Sequence, residues 1–174
     1  MVALYNLLES IRGFMELGGD VLWAIMAVLL VMWTLIIERY WFMFRVLPGY
    51  RRELLEEWKA RDDHRSWHAH RIKDELISKL RQAMQRNVKT IQTLVAICPL
   101  LGLLGTVTGM VAVFDVMAFF GTGNARAMAA GVSKATIPTM AGMVAALSGV
   151  YFASHLDRKA DIEAEKLEDL LAHD

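Results

Sequence analysis

One cysteine, three prolines and no net charge are the scarcities of this 174-residue chain. A lone Cys98 excludes an intrachain disulfide and a cysteine-rich metal cluster, and within an apolar run it reads as packing. With 19 basic and 19 acidic side chains in balance, the chain lacks the basic stripe that a nucleic-acid surface needs. Charge is missing altogether from Val21 to Ile37, from Thr90 to Phe114, and through the apolar stretch that begins at Ala135 and ends near His155. No paired carboxylates and no nucleophile with an adjacent base appear. The glycine run Gly102 to Gly109 lacks the Lys-Ser/Thr end of a phosphate loop, so an enzyme is the least supported class.

What is present is apolar. Hydrophobic residues make up 55% of the chain and 22% are charged, so the two populations must be segregated. At 1.5 Å per residue each charge-free stretch can cross a hydrocarbon layer of roughly 30 Å. The expected fold class is all-α: an integral membrane protein with three transmembrane helices, long helices extending into the cytoplasm and an N-terminal amphipathic surface helix. The expected division is 1–19 for the amphipathic helix, 20–38 for the first span, 39–89 for a cytoplasmic helical domain, 90–115 for the second span, 116–134 for a periplasmic loop, 135–156 for the third span and 157–174 for a cytoplasmic C-terminal helix.

In residues 1 to 17, Leu4, Leu7, Leu8, Ile11 and Met15 share a helical face, a pattern that a frayed terminus would leave without consequence. Gly18-Gly19 breaks the helix and Asp20 is placed to cap the next one. The acids Glu9, Glu16 and Asp20 ahead of the first apolar run argue against a cleaved leader. Glu38-Arg39-Tyr40-Trp41 marks the end of the first span with charge and interfacial aromatics. The polar middle segment is expected to break at Pro48-Gly49 and around Asp62-Asp63-His64. Beyond it, Leu76, Leu80, Met84 and Val88 form an apolar row that predicts one continuous helix from about Arg71 to about Phe114. The tail, with Ala160, Ala164, Leu167 and Leu171 on one side, is expected to pack on that middle segment. His64, His68 and His70 read as exposed side chains, since no fourfold ligand set accompanies them, and no metal or cofactor is expected.

Thirteen of the 19 Lys and Arg fall between Arg39 and Lys89, which by the positive-inside rule makes that segment and the tail cytoplasmic and the N-terminus periplasmic. The second span carries Gly102, Gly105 and Gly109, which offer lipid nothing but permit close approach of another backbone. The third repeats small residues at Ala135, Thr139, Gly142, Ala146, Gly149 and Ala153 in steps of four and three, a packing seam. Pro138 is either within the first turn of its helix or a kink that frees a carbonyl. No ionisable residue lies at mid-bilayer, so the chain by itself is a poor proton relay. It offers hydroxyls instead, from Thr106 and Thr139; each can serve a partner's ionisable group or simply bond a carbonyl one turn back.

Two stretches, Pro99-Leu-Leu-Gly-Leu-Leu-Gly-Thr-Val-Thr-Gly-Met110 and Ala130-Gly-Val-Ser-Lys-Ala-Thr-Ile-Pro-Thr-Met-Ala-Gly-Met143, together with Glu38-Arg39, resemble the MotA/TolQ/ExbB proton-channel family, closest to ExbB, over residues 21 to 156. The resemblance implies a bacterial inner-membrane homo-oligomer, a pentameric ring in contact with membrane lipid. The ring would enclose an ExbD-like single-span partner whose membrane aspartate carries the proton, and a TonB-like protein would pass force to outer-membrane importers of iron chelates. It implies that Thr106 and Thr139 line the lumen. Lys134, at the lumen entrance, stands where many relatives have glutamate; Pro138 and Ser148 also depart from the usual pattern, and the cytoplasmic loop is short, as in a compact variant. A TolQ-like cell-envelope subunit and a stand-alone channel or scaffold are the competing readings.

Overall fold

The computed structural model describes residues 2–60, 66–121 and 125–172, and among them every element is helical. In chain order these are α1 (Val2–Gly18), α2 (Asp20–Trp41), a π-helical segment (Phe42–Val46), α3 (Leu47–Lys59), α4 (Trp67–Gln85), α5 (Val88–Phe120) and α6 (Ala125–Ala172). Among the described residues three stretches of helix are long and apolar enough to cross a membrane, one each beginning at Asp20, Trp67 and Ala125. The chain divides into two compact units: Met1–Met32 with Thr93–Gly149, and Trp33–Gln92 with Val150–Asp174.

In the first unit, α1 is helical from Val2, so its amphipathic pattern is not a frayed end. Met15 packs with Leu22 and Ile25, joined by Leu101, Ile137 and Ala141. Tyr5, Ile11 and Phe14 stay exposed, and the side chains of Leu4, Leu7 and Leu8 lie outside the described residues. Gly19 turns the chain between α1 and α2 with φ +69°, a backbone conformation that costs any residue with a Cβ roughly 1–2 kcal/mol. Asp20 is the first residue of α2, placing a carboxylate in the first turn, where the helix dipole favours it. Along this helix Leu22, Ile25 and Met32 are buried while Trp23, Leu30 and Val31 are exposed. That division suits a helix with one protein face and one lipid face.

The sequence predicts a loop at 116–134 ahead of a third span starting near Ala135, and the structure makes residues 116–120 and 125–134 helical. Helix α5 continues to Phe120 and α6 already begins at Ala125. Gly121, at φ +70°, closes α5 by donating its N–H to the Met117 carbonyl at 2.9 Å, a left-handed C-cap that glycine adopts without strain. Residues 122 to 124 lie outside the described residues. Pro138 is consequently deep inside α6, not in its first turn.

In the second unit the expected break at Pro48-Gly49 is absent. The chain passes from α2 through the wide turn Phe42–Val46, where the Leu47 N–H reaches back to the Phe42 carbonyl, and Pro48 enters the first turn of α3, where its missing N–H costs least. Helix α4 starts on Ser66, whose hydroxyl accepts from the Ala69 N–H at 3.2 Å. Leu76, Leu80, Met84 and Val88 are all buried, as are Leu156, Ala160, Ala164, Leu167 and Leu171 on α6. Ion pairs Arg51–Glu163 at 3.2 Å and Arg81–Asp161 at 3.3 Å tie α3 and α4 to α6.

The continuous helix from Arg71 to Phe114 is also corrected. It is interrupted at Arg86-Asn87, where Asn87 takes φ +67°. Such a break orphans carbonyls at the end of α4. Arg39, the one buried charged residue among those described at 2% exposure, supplies the donors: its Nε bonds the Arg86 carbonyl and its Nη2 the Ala83 carbonyl at 3.1 Å. The neighbouring Glu38 carboxylate accepts from Asn87 Nδ2 at 3.2 Å. Periodicity could not foresee this joint, because the apolar row runs through it without losing register: Val88 and Ile91 are buried just as Met84 is.

Asn87→Gly and Asn87→Ala both lose the bond to Glu38, but only alanine meets the left-handed backbone penalty. The alanine variant should be less stable than the glycine variant by about 1 kcal/mol in detergent unfolding; equal stabilities would show that the observed φ is not what the site requires.

Candidate functional site

The first unit brings α5 and α6 together through the residues the sequence singles out, glycine facing backbone. A Cβ built on Gly102 would stand 2.9 Å from the Thr139 Cα and 3.0 Å from the Pro138 carbonyl. One on Gly109 would meet the Ala135 Cα at 2.5 Å, and one on Gly142 the Cys98 carbonyl at 2.5 Å. Real Cβ atoms do not sit that close, so at these three positions glycine is what lets the two main chains touch. Gly105 receives the ring of Pro138, whose Cβ and Cγ would lie 2.4 and 2.8 Å from an added methyl. Pro138 is fully buried there, and its missing N–H leaves the carbonyl one turn back, on Lys134, without its helical partner. Ala135 and Ala146 are buried on the same helix. Gly149 faces only side-chain ends, Val95 Cγ2 and the Met32 sulfur.

The two threonines are treated differently by this seam. Thr139 sends its hydroxyl across it, donating to the Gly102 carbonyl at 2.9 Å, a link between helices that exists because Gly102 has no side chain to cover its own main chain. Thr106 is half-buried and bonds within α5, donating to the Leu103 carbonyl at 2.6 Å. Thr108 does likewise toward the Leu104 and Gly105 carbonyls, both at 3.1 Å. Both lumen candidates therefore have their hydrogen committed and only oxygen lone pairs to offer. They are ready to accept a proton-bearing donor, whereas a carboxylate would require the hydroxyl to swing away from its carbonyl.

Lys134 is exposed on α6 and lays its Cε over the Gly19 turn, 3.0 Å from where a Cβ would stand. With Asp20 and Thr108 it lines a cavity of about 190 Å³ whose floor is Gly105 and Gly109. Lys134 thus shares a small recess with Gly105, Thr108 and Gly109 of α5 and makes no direct bond to either Thr106 or Thr139. Ser148 donates to the Ala145 carbonyl at 2.7 Å, an internal helix bond.

Among the described residues no three His, Cys, Asp or Glu gather as a metal would require. His68 lies edge-on to Trp67, and His70 Nδ1 is 3.1 Å from the Ser66 carbonyl; His64 lies outside the described residues. The joint of Glu38, Arg39 and Asn87 is the arrangement that sequence reasoning missed. Its available signal was an arginine placed directly after an apolar span, which reads equally well as an interfacial anchor.

The glycine contacts differ in a way that stability can register. Gly142→Ala pushes a methyl into the Cys98 main chain and should cost about 1–3 kcal/mol, while Gly149→Ala meets movable side chains and should cost less. Thermal unfolding of the two variants in the same detergent compares them directly; a Gly149→Ala protein as damaged as Gly142→Ala would contradict the distinction.

Similarity to known proteins agrees with this geometry. The sequence profile of the MotA/TolQ/ExbB proton channel family matches residues 47–169. The ExbB-like biopolymer transport protein 1 of Synechocystis sp. is 43% identical over 67 residues, 37% of this chain and 26% of that protein. ExbB-like protein 3 of the same organism is 38% identical over 65 residues, 36% of this chain and 31% of that one. An ExbB homolog of Methanothermobacter thermautotrophicus is 32% identical over 85 residues, 49% of this chain and 30% of that protein. The chain thus aligns with about a quarter to a third of the length of these relatives. No solved structure matches it. With a family match that takes in α3, α4, the glycine-bearing α5 and nearly all of α6, the chain belongs to the MotA/TolQ/ExbB proton channel family.

Proposed function

We propose that this chain is an ExbB-like subunit of an inner-membrane motor driven by the proton-motive force. Five copies surround ExbD-like single-span helices, and a TonB-like protein carries the resulting force to outer-membrane importers of iron chelates and similar nutrients. The observation that carries the reading is a mismatch. A member of a proton-channel family has three apolar spans and brings no ionisable group to the middle of any of them. A proton path then needs an acid from elsewhere, and a membrane aspartate on the partner is the simplest source.

In this reading Thr106 and Thr139 face that acid. Their hydroxyl hydrogens are held by the Leu103 and Gly102 carbonyls, so their oxygens favour the protonated, neutral form of the partner's carboxyl group. A neutral acid can move against an apolar wall at far lower cost than a carboxylate can. Lys134, which lines the recess with Asp20 and Thr108, is taken as the outer entrance, where its positive charge favours the ionised form. The two environments would thus separate loading from transit. The excess of Lys and Arg between Arg39 and Lys89 supports an orientation with the middle segment and the tail in the cytoplasm and the N-terminus in the periplasm.

Thr106→Val and Thr139→Val should each abolish receptor-dependent uptake while the assembled complex keeps its mass, and Thr139→Ser, which retains the hydroxyl, should preserve most of it. Uptake is followed with a labelled iron chelate and assembly by native mass spectrometry. Full uptake in both valine variants would remove the threonines from the pathway.

A further inference from the structure

Two opposite charges line the recess beside the α1–α2 turn, yet they form no ion pair. Asp20 opens α2 and Lys134 stands on α6, and among the described residues neither takes part in an ion pair or a side-chain hydrogen bond. Both are exposed, as is Thr108, and charges that face one cavity without touching are held there by hydration. Thr108 spends its hydrogen on the Leu104 and Gly105 carbonyls, so its lone pairs are left to accept. The main chain adds a further acceptor: Pro138 withholds the N–H that would reach the Lys134 carbonyl, and the Pro138 ring rests on Gly105, itself part of the recess. At about 190 Å³ the recess has room for several waters, and these groups supply the polar partners that such waters need.

The recess also leads inward. Asp20 and Lys134 each stand immediately before an uncharged run, at Val21 and at Ala135, whereas Gly105 is ten residues, about 15 Å along the helix, from Asp115, the nearest charge on α5. Gly102, which receives the Thr139 hydroxyl, is one turn further. Among the recess residues α5 brings no charge, and the nearest acid of α1, Glu16, is held by Arg12 at 3.4 Å. We propose that this recess is a water-filled entrance that carries protons from the N-terminal side of the membrane toward the α5–α6 seam, with Asp20 and Lys134 as its charged lining. A lone ammonium would repel a hydrated proton, and the Asp20 carboxylate offsets it. The proton passes along the waters, each oxygen accepting one hydrogen and releasing another, until the partner's carboxylate takes it. The use as a proton path rests on the motor reading, whereas the hydration does not, and the two are tested separately.

Cysteine labelling reads the water. Cys98, the one native cysteine, is buried, so the wild-type chain in lipid nanodiscs should resist charged, membrane-impermeant methanethiosulfonates and serves as the blank. Thr108→Cys should react with the anionic sulfonatoethyl reagent. Lys134→Glu in that background should slow this reaction and speed that of the cationic trimethylammonium reagent, changing the ratio of the two rates by about ten-fold or more. Ala112→Cys, one turn along α5 in the same recess, decides the matter if Thr108→Cys is misfolded. A folded variant that stays unreacted, or a rate ratio that Lys134→Glu leaves unmoved, overturns the proposal. The path is read in cells: sulfonatoethyl modification of the recess cysteine should abolish receptor-dependent uptake relative to the same variant unmodified, while the reagent leaves the wild type unchanged. Undiminished uptake after modification overturns the proton path and leaves the motor standing. Absence of receptor-dependent uptake in the wild type overturns the motor and the proton path together.

Discussion

Close contact between the main chains of α5 and α6 is the constraint from which the rest of the first unit follows. Gly102 against Thr139, Gly109 against Ala135 and Gly142 against Cys98 leave no room for a methyl group, so the two helices are separated by backbone radii alone. In a membrane this matters more than in water. Lipid tails solvate a leucine as well as another helix does, and association must come from packing and from hydrogen bonds between helices. The Thr139 to Gly102 bond is one such link, and it forms only because the glycine leaves its carbonyl uncovered. The large apolar side chains that the seam does not use, among them Leu100, Leu103, Met140, Met143 and Leu147, are turned outward. They provide surface for lipid or for further protein.

The second unit is held by different chemistry. Here aliphatic rows from α4 and α6 are buried, and charged pairs bridge their margins. Those exposed or half-exposed pairs add little individually. Arg39 is another matter. A guanidinium at 2% exposure has lost most of its water and keeps its charge by donating to the two carbonyls that the Asn87 turn leaves open. Removing either side would strand the other: the carbonyls without donors, or the charge without acceptors. The arginine and the helix break therefore form one feature, although 47 residues separate them in sequence.

The polar features of both units arise where regular helical bonding is interrupted. Pro138 withdraws an N–H within α6 beside the glycines of α5, and Asn87 interrupts the row that α4 and α5 otherwise share. Interruptions of this kind leave polar main-chain atoms at positions where an unbroken helix would show only side chains. A helix irregularity supplies polarity next to a span without placing a charge in the hydrocarbon.

Much of this was legible in the sequence, for a definite reason. Charge-free stretches of bilayer length, small residues at helical spacing and the buried rows Leu76–Leu80–Met84 and Ala160–Ala164–Leu167 are local or periodic signals, and burial follows period. The sequence also determined that no ionisable group reaches the middle of a span, since that depends only on which residues occupy it. What the tertiary structure alone decided are the partners. Nothing local distinguishes the Thr139 hydroxyl, which crosses to Gly102, from the Thr106 hydroxyl, which bonds its own helix. Nor can a period of 3.6 register a break that preserves the apolar phase, as at Asn87, or say that Arg39 would fill it. Hydrogen bonds between distant segments are set by which main-chain atoms three-dimensional packing leaves unsatisfied, and a one-dimensional pattern carries no record of them.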